Sequence, residues 1–275
     1  MDIQIAHSPD SDDAFMFYAL AKDKLPTGKF RFSHTLQDIE TLNRKALKGE
    51  YEITAISIHA YVYVADKYIL LPSGASMGER YGPMIVAREP WNQEELKGKK
   101  IAIPGTMTSA YLTMKLFQPD FEAEVIPFDR IMNAVQNGSV DAGLIIHEGQ
   151  LTYASLKLHK IVDLGEWWHQ VTGLPLPLGG NVIRRDLSSE DKRELSRLLR
   201  ESIRYALDHR EEALEYAMQF ARDLDASTAN QFVGMYVNER TLDYGEDGRR
   251  AVQLLLDRAF ETNLIPEQVR AEFAE

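Results

Sequence analysis

The fold of this chain can be read outward from ten residues, Asp141-Ala142-Gly143-Leu144-Ile145-Ile146-His147-Glu148-Gly149-Gln150. The apolar run from Leu144 to Ile146 is too short for a buried helix and is rich in β-branched residues, so it predicts a buried strand. His147 follows at the end of that strand, and Gly149 supplies a turn. Because ligands of open α/β sheets bind at the carboxyl ends of the strands, we expect His147 in a ligand crevice.

The histidine itself has two interpretations. An imidazole titrates near neutral pH, so His147 could act as a general acid or base in the crevice. A histidine at this position could also be purely structural, ending the strand and bonding a backbone carbonyl. These ten residues favour neither interpretation, and the remainder of the chain has to separate them.

Composition bounds the class of protein. The chain has 275 residues, of which 44% are hydrophobic and 27% are charged, as in an ordinary globular protein of one or two domains. A net charge of -11 argues against a nucleic-acid partner, and the absence of cysteine excludes disulfides, thiolate metal sites and cysteine nucleophiles. No apolar run approaches the roughly 18 residues of a membrane span, and the first residues do not form a signal peptide, so we expect a cytoplasmic protein without a membrane partner.

Two junctions between a predicted strand and a predicted helix are candidate ligand sites. The loop Ser8-Pro9-Asp10-Ser11-Asp12-Asp13 precedes a helix over residues 14–20, and its acidic residues argue against a strongly anionic ligand there. Its plainer interpretation is a helix capped by Ser11 or Asp12. The second junction follows the strand Lys100–Ile103 and opens a helix over about 108–117.

This second helix start is suited to a carboxylate. Thr106, Thr108 and Ser109 supply hydroxyls, and the first-turn backbone amides, including that of Ala110, favour an anion. An ordinary hydroxyl N-cap is the alternative. A strand over Ile53–Ser57 ends close to His59, which could line the same crevice, although a buried structural role is favoured for it.

Strands alternate with helices up to Asp186, which indicates a parallel α/β arrangement, and only helices follow. The segments 82–87 and 178–183 look like crossings between two lobes. We therefore predict an α/β, two-lobed type II periplasmic-binding-protein-like fold with a double crossover and a helical C-terminal region. Lobe 1 would comprise residues 1–87 and 181–275, lobe 2 residues 88–180, and the ligand cleft would lie between them.

Several motifs are missing. The dipeptide His147-Glu148 begins a zinc-protease motif, but that motif needs a second histidine four residues on, where Leu151 stands. The seven histidines show no close metal-ligand spacing, and the chain has no nucleotide fingerprint and no Gly-x-Ser-x-Gly elbow. We expect an enzyme without metal or cofactor that works by acid–base chemistry and positioning.

Long segments resemble one family. The most specific is Val162-Asp163-Leu164-Gly165-Glu166-Trp167-Trp168, continued by Thr172-Gly173-Leu174-Pro175-Leu176-Pro177-Leu178-Gly179. With the Ser8-Pro9 loop and the segments 38–44, 142–148 and 236–238, the chain resembles the 1,4-dihydroxy-6-naphthoate synthases, enzymes of menaquinone biosynthesis by the futalosine route. The resemblance covers nearly the whole chain.

The resemblance implies an enzyme built on the type II binding-protein fold, with cyclic dehypoxanthinyl futalosine as substrate and 1,4-dihydroxy-6-naphthoate as product. It places the proton-accepting histidine at His147 and substrate contacts at Ala55-Ile56-Ser57 and Ser109-Ala110. Thr108 and the loop residues Ser8 and Asp13 complete the predicted substrate site, which takes a small-molecule carboxylate. The family's first loop usually reads Ser-Pro-Cys-Pro-Asn-Asp, and a lysine is common at the place of Ala55, so this chain departs from the family at both.

Two other functions are compatible with the same fold. One is a cytoplasmic small-carboxylate binding protein without catalysis. The other is a chorismate dehydratase, a sister enzyme of the pathway. The oligomeric state has no signature in the sequence.

Overall fold

The computed structural model describes residues 1–221 and 225–274, and these contain two separate β-sheets. The strands are β1 Asp2–His7, β2 Arg31–Leu36, β3 Ile53–Ser57, β4 Tyr68–Leu70, β5 Ser76–Gly78, β6 Met84–Ala87, β7 Lys100–Ile103, β8 Glu122–Val125, β9 Ala142–Ile145, β10 His159–Asp163 and β11 Leu176–Arg184.

The α-helices are α1 Ser11–Ala21, α2 Ile39–Ala46, α3 Ile58–Tyr61, α4 Ser109–Phe117, α5 Ile131–Gln136, α6 Gly149–Thr152, α7 Leu164–Thr172, α8 Ser189–Asp208, α9 Arg210–Ala217, α10 Ala226–Tyr236, α11 Glu239–Leu242 and α12 Gly245–Glu261. Short 3-10 turns lie at Gln93–Leu96, Phe128–Arg130, Tyr153–Leu156 and Met218–Phe220. Within the described ranges, no helix is both long enough and apolar enough to span a bilayer.

Both sheets are mixed rather than purely parallel. The first has the order β2-β1-β3-β11-β4, with β5 also on β11, and the second has the order β10-β6-β9-β7-β8. In the first sheet β2, β1 and β3 are parallel, and β11 lies beside β3 in the antiparallel direction. In the second sheet β8, β7 and β9 are parallel, and β6 lies beside β9 in the antiparallel direction. The prediction of a parallel arrangement is therefore correct for only part of each sheet. Parallel neighbours need a crossover connection, whereas the chain enters β6 and β11 directly from the other sheet.

Two strands were missed by the sequence. The sequence predicts a flexible loop over residues 72–78 and an irregular segment over residues 153–162, but the first contains β5 and the second contains the start of β10. Strand β10 lies at the edge of its sheet, and β5 is only three residues long. Short edge strands carry little of the continuous apolar pattern that marks a central strand.

The chain passes between the sheets twice. It leaves the first sheet after Gly78 and enters the second at Met84, then returns between Thr172 and Leu176. The crossings are thus a few residues earlier than the predicted segments 82–87 and 178–183. On this strand pairing we propose residues 1–78 and 176–274 for lobe 1 and residues 84–172 for lobe 2.

A glycine allows the first crossing to pack against α7. A side chain at Gly165 would collide with the backbone carbonyl of Tyr81, which cannot move aside as a side chain could. The backbone of α7 therefore approaches the crossing segment more closely than any residue with a Cβ atom would permit. This contact explains the glycine inside the Asp163–Trp168 segment.

The helical tail belongs to the first lobe. Helix α8 buries Leu195, Leu198, Leu199 and Ile203 along one face, at the three- and four-residue spacing of an amphipathic helix. This face packs against α1, which is buried over most of its length. Because α1 begins directly after the Ser8–Asp10 loop, the packing of the tail against α1 also holds that loop in place.

Candidate functional site

A cleft lies between the two lobes and opens to solvent at its mouth, with about 750 Å³ of empty space when the open solvent in that mouth is included. The structure places all nine residues of the predicted site along its wall: Ser8, Asp13, Ala55, Ile56, Ser57, Thr108, Ser109, Ala110 and His147. They meet there because the β1–α1 loop, the end of β3, the start of α4 and the end of β9 all face the gap between the sheets.

His147 follows β9 with a left-handed backbone, at φ 53°. This conformation is uncommon for a residue other than glycine and holds the side chain in an orientation that a continuing strand would not give. The ring lies 5.0 Å from the Phe128 ring, edge to face, and its Nδ1 is 3.3 Å from Oδ2 of Asp10. The imidazole is therefore fixed on two sides, while its side chain remains 19% exposed.

Carboxyl groups crowd the end of the cleft near His147. The Ser8 hydroxyl donates to Asp10, and the Ser8 amide donates to Oδ2 of Asp13 at 2.7 Å. Burial raises the pKa of Asp13 to about 7. Burial also raises the pKa of Asp12 well above its ordinary value, and the neighbouring carboxylates Asp13 and Asp10 add to that rise. This end of the cleft consequently holds carboxyl groups that take up protons easily.

The prediction that Ser11 or Asp12 caps helix α1 is wrong. Asp10, and not Ser11 or Asp12, occupies the N-cap of α1, and its side chain makes no capping hydrogen bond. The carboxylate is directed instead towards Ser8 and His147. Local sequence cannot reveal this choice, because His147 arrives from a distant part of the chain.

The hydroxyls at the start of α4 are largely engaged by the protein. Thr108 is the N-cap: its Oγ1 accepts from the Tyr111 amide at 3.1 Å and donates to the Gly105 carbonyl at 2.9 Å. Thr106 is exposed and lies outside the cleft wall. The ordinary N-cap interpretation is thus correct for Thr108.

Ser109 joins the two lobes. Its hydroxyl donates to the Leu178 carbonyl at 2.6 Å and accepts from the His59 amide at 3.2 Å. The first-turn amides of Ser109 and Ala110 have no acceptor within the helix. An anion in the cleft would accordingly meet backbone amides more readily than the Ser109 hydroxyl.

His59 does not line the cleft. It is buried, and its Nδ1 lies 3.3 Å from the Thr108 carbonyl, to which it can donate. Burial lowers its pKa to about 4, so the ring is neutral at ordinary pH. The structural role favoured from the sequence agrees with this environment. Ser57, by contrast, lines the cleft and is held by Asn43, whose amide nitrogen and oxygen bond the serine hydroxyl and backbone amide.

Several cleft residues were not predicted. Asp10 contacts His147, and Asp12, Gln150 and Tyr236 line the wall beside it. The sequence held a signal for three of them. Gln150 lies in the segment 141–150 that predicts the strand before His147, and Asp10 and Asp12 lie in the Ser8–Asp13 loop, where the chain differs from the family. Tyr236 comes from the helical tail, whose docking no local pattern reveals. Within residues 1–221 and 225–274, no three His, Asp or Glu side chains are grouped to hold a metal ion.

Solved structures define the class of protein. A crystal structure from Archaeoglobus fulgidus is similar with a TM-score of 0.93 and 50% identity, over 96% of this chain and 98% of that one. The alkanesulfonate-binding protein SsuA from Xanthomonas axonopodis pv. citri is similar with a TM-score of 0.73 and 12% identity, over 98% and 96%, which concerns the fold alone. The protein thus has the predicted two-lobed periplasmic-binding-protein-like fold with a helical C-terminal region.

Sequence relatives define the family. The menaquinone biosynthesis family model matches residues 3–261. The 1,4-dihydroxy-6-naphthoate synthase of Streptomyces coelicolor is 40% identical over 270 residues, covering 96% of this chain and 95% of the relative. The enzyme of the same name from Thermus thermophilus is 42% identical over 257 residues, covering 94% and 93%. The chain therefore belongs to this menaquinone biosynthesis family, and the predicted resemblance is confirmed.

Proposed function

We propose that this protein is a 1,4-dihydroxy-6-naphthoate synthase, a lyase that acts on cyclic dehypoxanthinyl futalosine with His147 as general base. The observation that carries the proposal is the imidazole at the end of β9, which contacts Phe128 and Asp10 and lines the cleft between the lobes. The names of the two relatives supply the product, 1,4-dihydroxy-6-naphthoate, and the family resemblance of the sequence supplies the substrate.

In the proposed reaction, neutral His147 removes a proton from the sugar-derived part of the substrate. The oxygen left by that proton forms a carbonyl as the carbon–carbon bond to the ring breaks, so the sugar-derived part leaves as a carbonyl compound. The ring keeps the bonding electrons and takes up a proton, and its aromatisation supplies the driving force. The base needs an unprotonated nitrogen for this step, so the rate should fall under acidic conditions that protonate the imidazole.

The carboxylate of the substrate is proposed to lie at the start of α4. There the Ser109 and Ala110 amides point out of the first turn, and the helix dipole favours negative charge. The acidic residues Asp12 and Asp13 lie elsewhere on the wall of the same cleft. We propose that they face the polar, uncharged sugar-derived part, to which protonated carboxyl groups can donate hydrogen bonds.

The decisive experiment is an assay of the purified protein with cyclic dehypoxanthinyl futalosine and, separately, with chorismate, followed by mass spectrometry of the products. Formation of 1,4-dihydroxy-6-naphthoate supports the proposal. Consumption of chorismate would make the protein a dehydratase, and binding without any conversion would make it a binding protein. The small-molecule substrate stays a prediction until then, and the cytoplasmic location stays a prediction that cell fractionation would test.

The catalytic role of His147 is tested by His147→Asn. Asparagine is among the residues that best tolerate a left-handed backbone, so the fold should survive. Turnover should fall by about 100-fold or more, while product binding persists. His159→Asn is the matched control, because His159 is exposed at the start of β10. Normal turnover by a folded His147→Asn protein would make His147 structural.

A further inference from the structure

We propose that Asp10 is a positioning residue for His147: it holds the proton on Nδ1 and so leaves Nε2 as the basic nitrogen. The inference rests on the proposed function in one respect, namely that His147 is the base. It concerns a residue that replaces the cysteine usual at this place in the family loop.

The geometry of the pair supports this assignment. Oδ2 of Asp10 is 3.3 Å from Nδ1 of His147, and the Asp10 side chain is fully buried. The same oxygen also accepts the Ser8 hydroxyl proton. A carboxylate accepts hydrogen bonds, so the nitrogen that faces it is the protonated one. In a neutral imidazole the other nitrogen, Nε2, then carries the lone pair.

The position of Asp10 in its helix is a second observation. An aspartate at an N-cap normally accepts a hydrogen bond from an amide in the first turn and so stabilises the helix. Asp10 occupies the N-cap of α1, yet its side chain makes no such bond. Its carboxylate lies 3.3 Å from His147 of the other lobe instead, which is the orientation that a role towards His147 requires.

The pair also spans the two lobes. Asp10 lies in the loop between β1 and α1 of the first lobe, and His147 follows β9 of the second. The base is therefore oriented by a buried residue of the other lobe, and its orientation depends on the two lobes being together. After proton abstraction, the carboxylate would also stabilise the imidazolium that forms.

The experiment compares the native enzyme with Asp10→Asn, using nitrogen NMR of labelled histidine to identify the His147 tautomer. We expect the proton on Nδ1 in the native enzyme and a shift of the population towards Nε2–H in the variant. The kcat should fall by about 10- to 100-fold, with KM changed by less than about threefold. Asp23→Asn, an exposed site just beyond the end of the same helix, is the matched control and should change neither readout.

Circular dichroism and a thermal melt check that Asp10→Asn folds. Asp10→Cys is a second variant, since the family loop usually carries cysteine there. A thiol is a weak hydrogen-bond acceptor, so this variant should also shift the His147 proton from Nδ1 towards Nε2. A native His147 with the proton on Nε2, or an unchanged tautomer in both variants, would overturn the inference whatever the activity.

The outcomes also separate this inference from the proposed function. If His147→Asn abolishes turnover while Asp10→Asn leaves kcat unchanged, the proposed function stands and the role of Asp10 does not. If the native protein converts none of the proposed substrates, the function fails, and the NMR measurement still tests the pairing of Asp10 with His147.

Discussion

The hydroxyl of Tyr236 donates a hydrogen bond of 2.7 Å to Oε1 of Gln150 across the cleft wall. Tyr236 ends helix α10 of the C-terminal tail, whereas Gln150 lies in α6, directly after the His147 turn. Both side chains are buried, and burial raises the pKa of Tyr236 well above its ordinary value, so the phenol keeps its proton. This bond makes the helical tail a part of the site.

Removing the phenol hydroxyl should lower stability. Tyr236→Phe leaves the buried Gln150 oxygen without this donor, and the free energy of unfolding should fall by about 1–3 kcal/mol in urea titrations. Gln150→Leu should act similarly, and the double variant should lose less than the sum of the two. Tyr205→Phe is the control, because the face of the Tyr205 ring stacks on His209 and needs no hydroxyl. Strict additivity would show that the two groups are not coupled.

Two substitutions at Ser109 separate its hydroxyl from its amide. Ser109→Ala removes only the hydroxyl, so the Leu178 carbonyl loses its donor and stability should fall by about 1–3 kcal/mol. Ser109→Pro also removes the amide, at a first-turn position that tolerates proline after the extended backbone of Thr108.

Relative to Ser109→Ala, the KM of Ser109→Pro should rise by roughly one to two decades, since a hydrogen bond to a charged group contributes about 1.5–3 kcal/mol. The comparison is made by steady-state kinetics on both purified variants. If Ser109→Ala alone raises KM as much, the hydroxyl itself binds the carboxylate, as the sequence pattern indicated.

The raised pKa of Asp13 predicts a pH dependence of stability. Folding raises this pKa from 3.8 to about 7, so between these values the folded protein binds a proton that the unfolded chain has lost. The contribution of Asp13 to stability is complete below about pH 4 and is lost as the pH rises through about 7. Asp13→Asn mimics the protonated form and keeps an acceptor for the Ser8 amide, so it lacks this dependence.

The measurement is the difference in unfolding free energy between the native protein and Asp13→Asn at about pH 8, 6 and 4. The difference should shift in favour of the native protein as the pH falls. The buried His7 and His34, whose pKa values are lowered to about 3 and about 4, act in the opposite direction. Both histidines are present in the native protein and in the variant, so their contributions cancel in the difference of unfolding free energies. A difference that is constant with pH would contradict the raised pKa of Asp13.

Local signals were enough for much of the site. The strand that ends before His147, the N-cap at Thr108 and the strand that ends at Ser57 all follow from periodicity and capping chemistry, and each lies where the sequence indicated. Ligands of open α/β sheets bind at the ends of strands, and this rule predicted that these residues would lie in one cleft. The roles of those residues in binding and catalysis stay predictions.

What the sequence determined by itself is the family and most of the elements, apart from strands β5 and β10, because both depend on local patterns: apolar periodicity, caps, glycine turns and the Trp167-Trp168 segment. Only the tertiary structure decided the partners. The antiparallel entry of β6 and β11, the engagement of Ser109 by Leu178, and the pairs Asp10–His147 and Gln150–Tyr236 all join residues far apart in the chain. Such contacts depend on how two lobes and a helical tail pack together, and packing is a property of the whole fold that no single segment encodes.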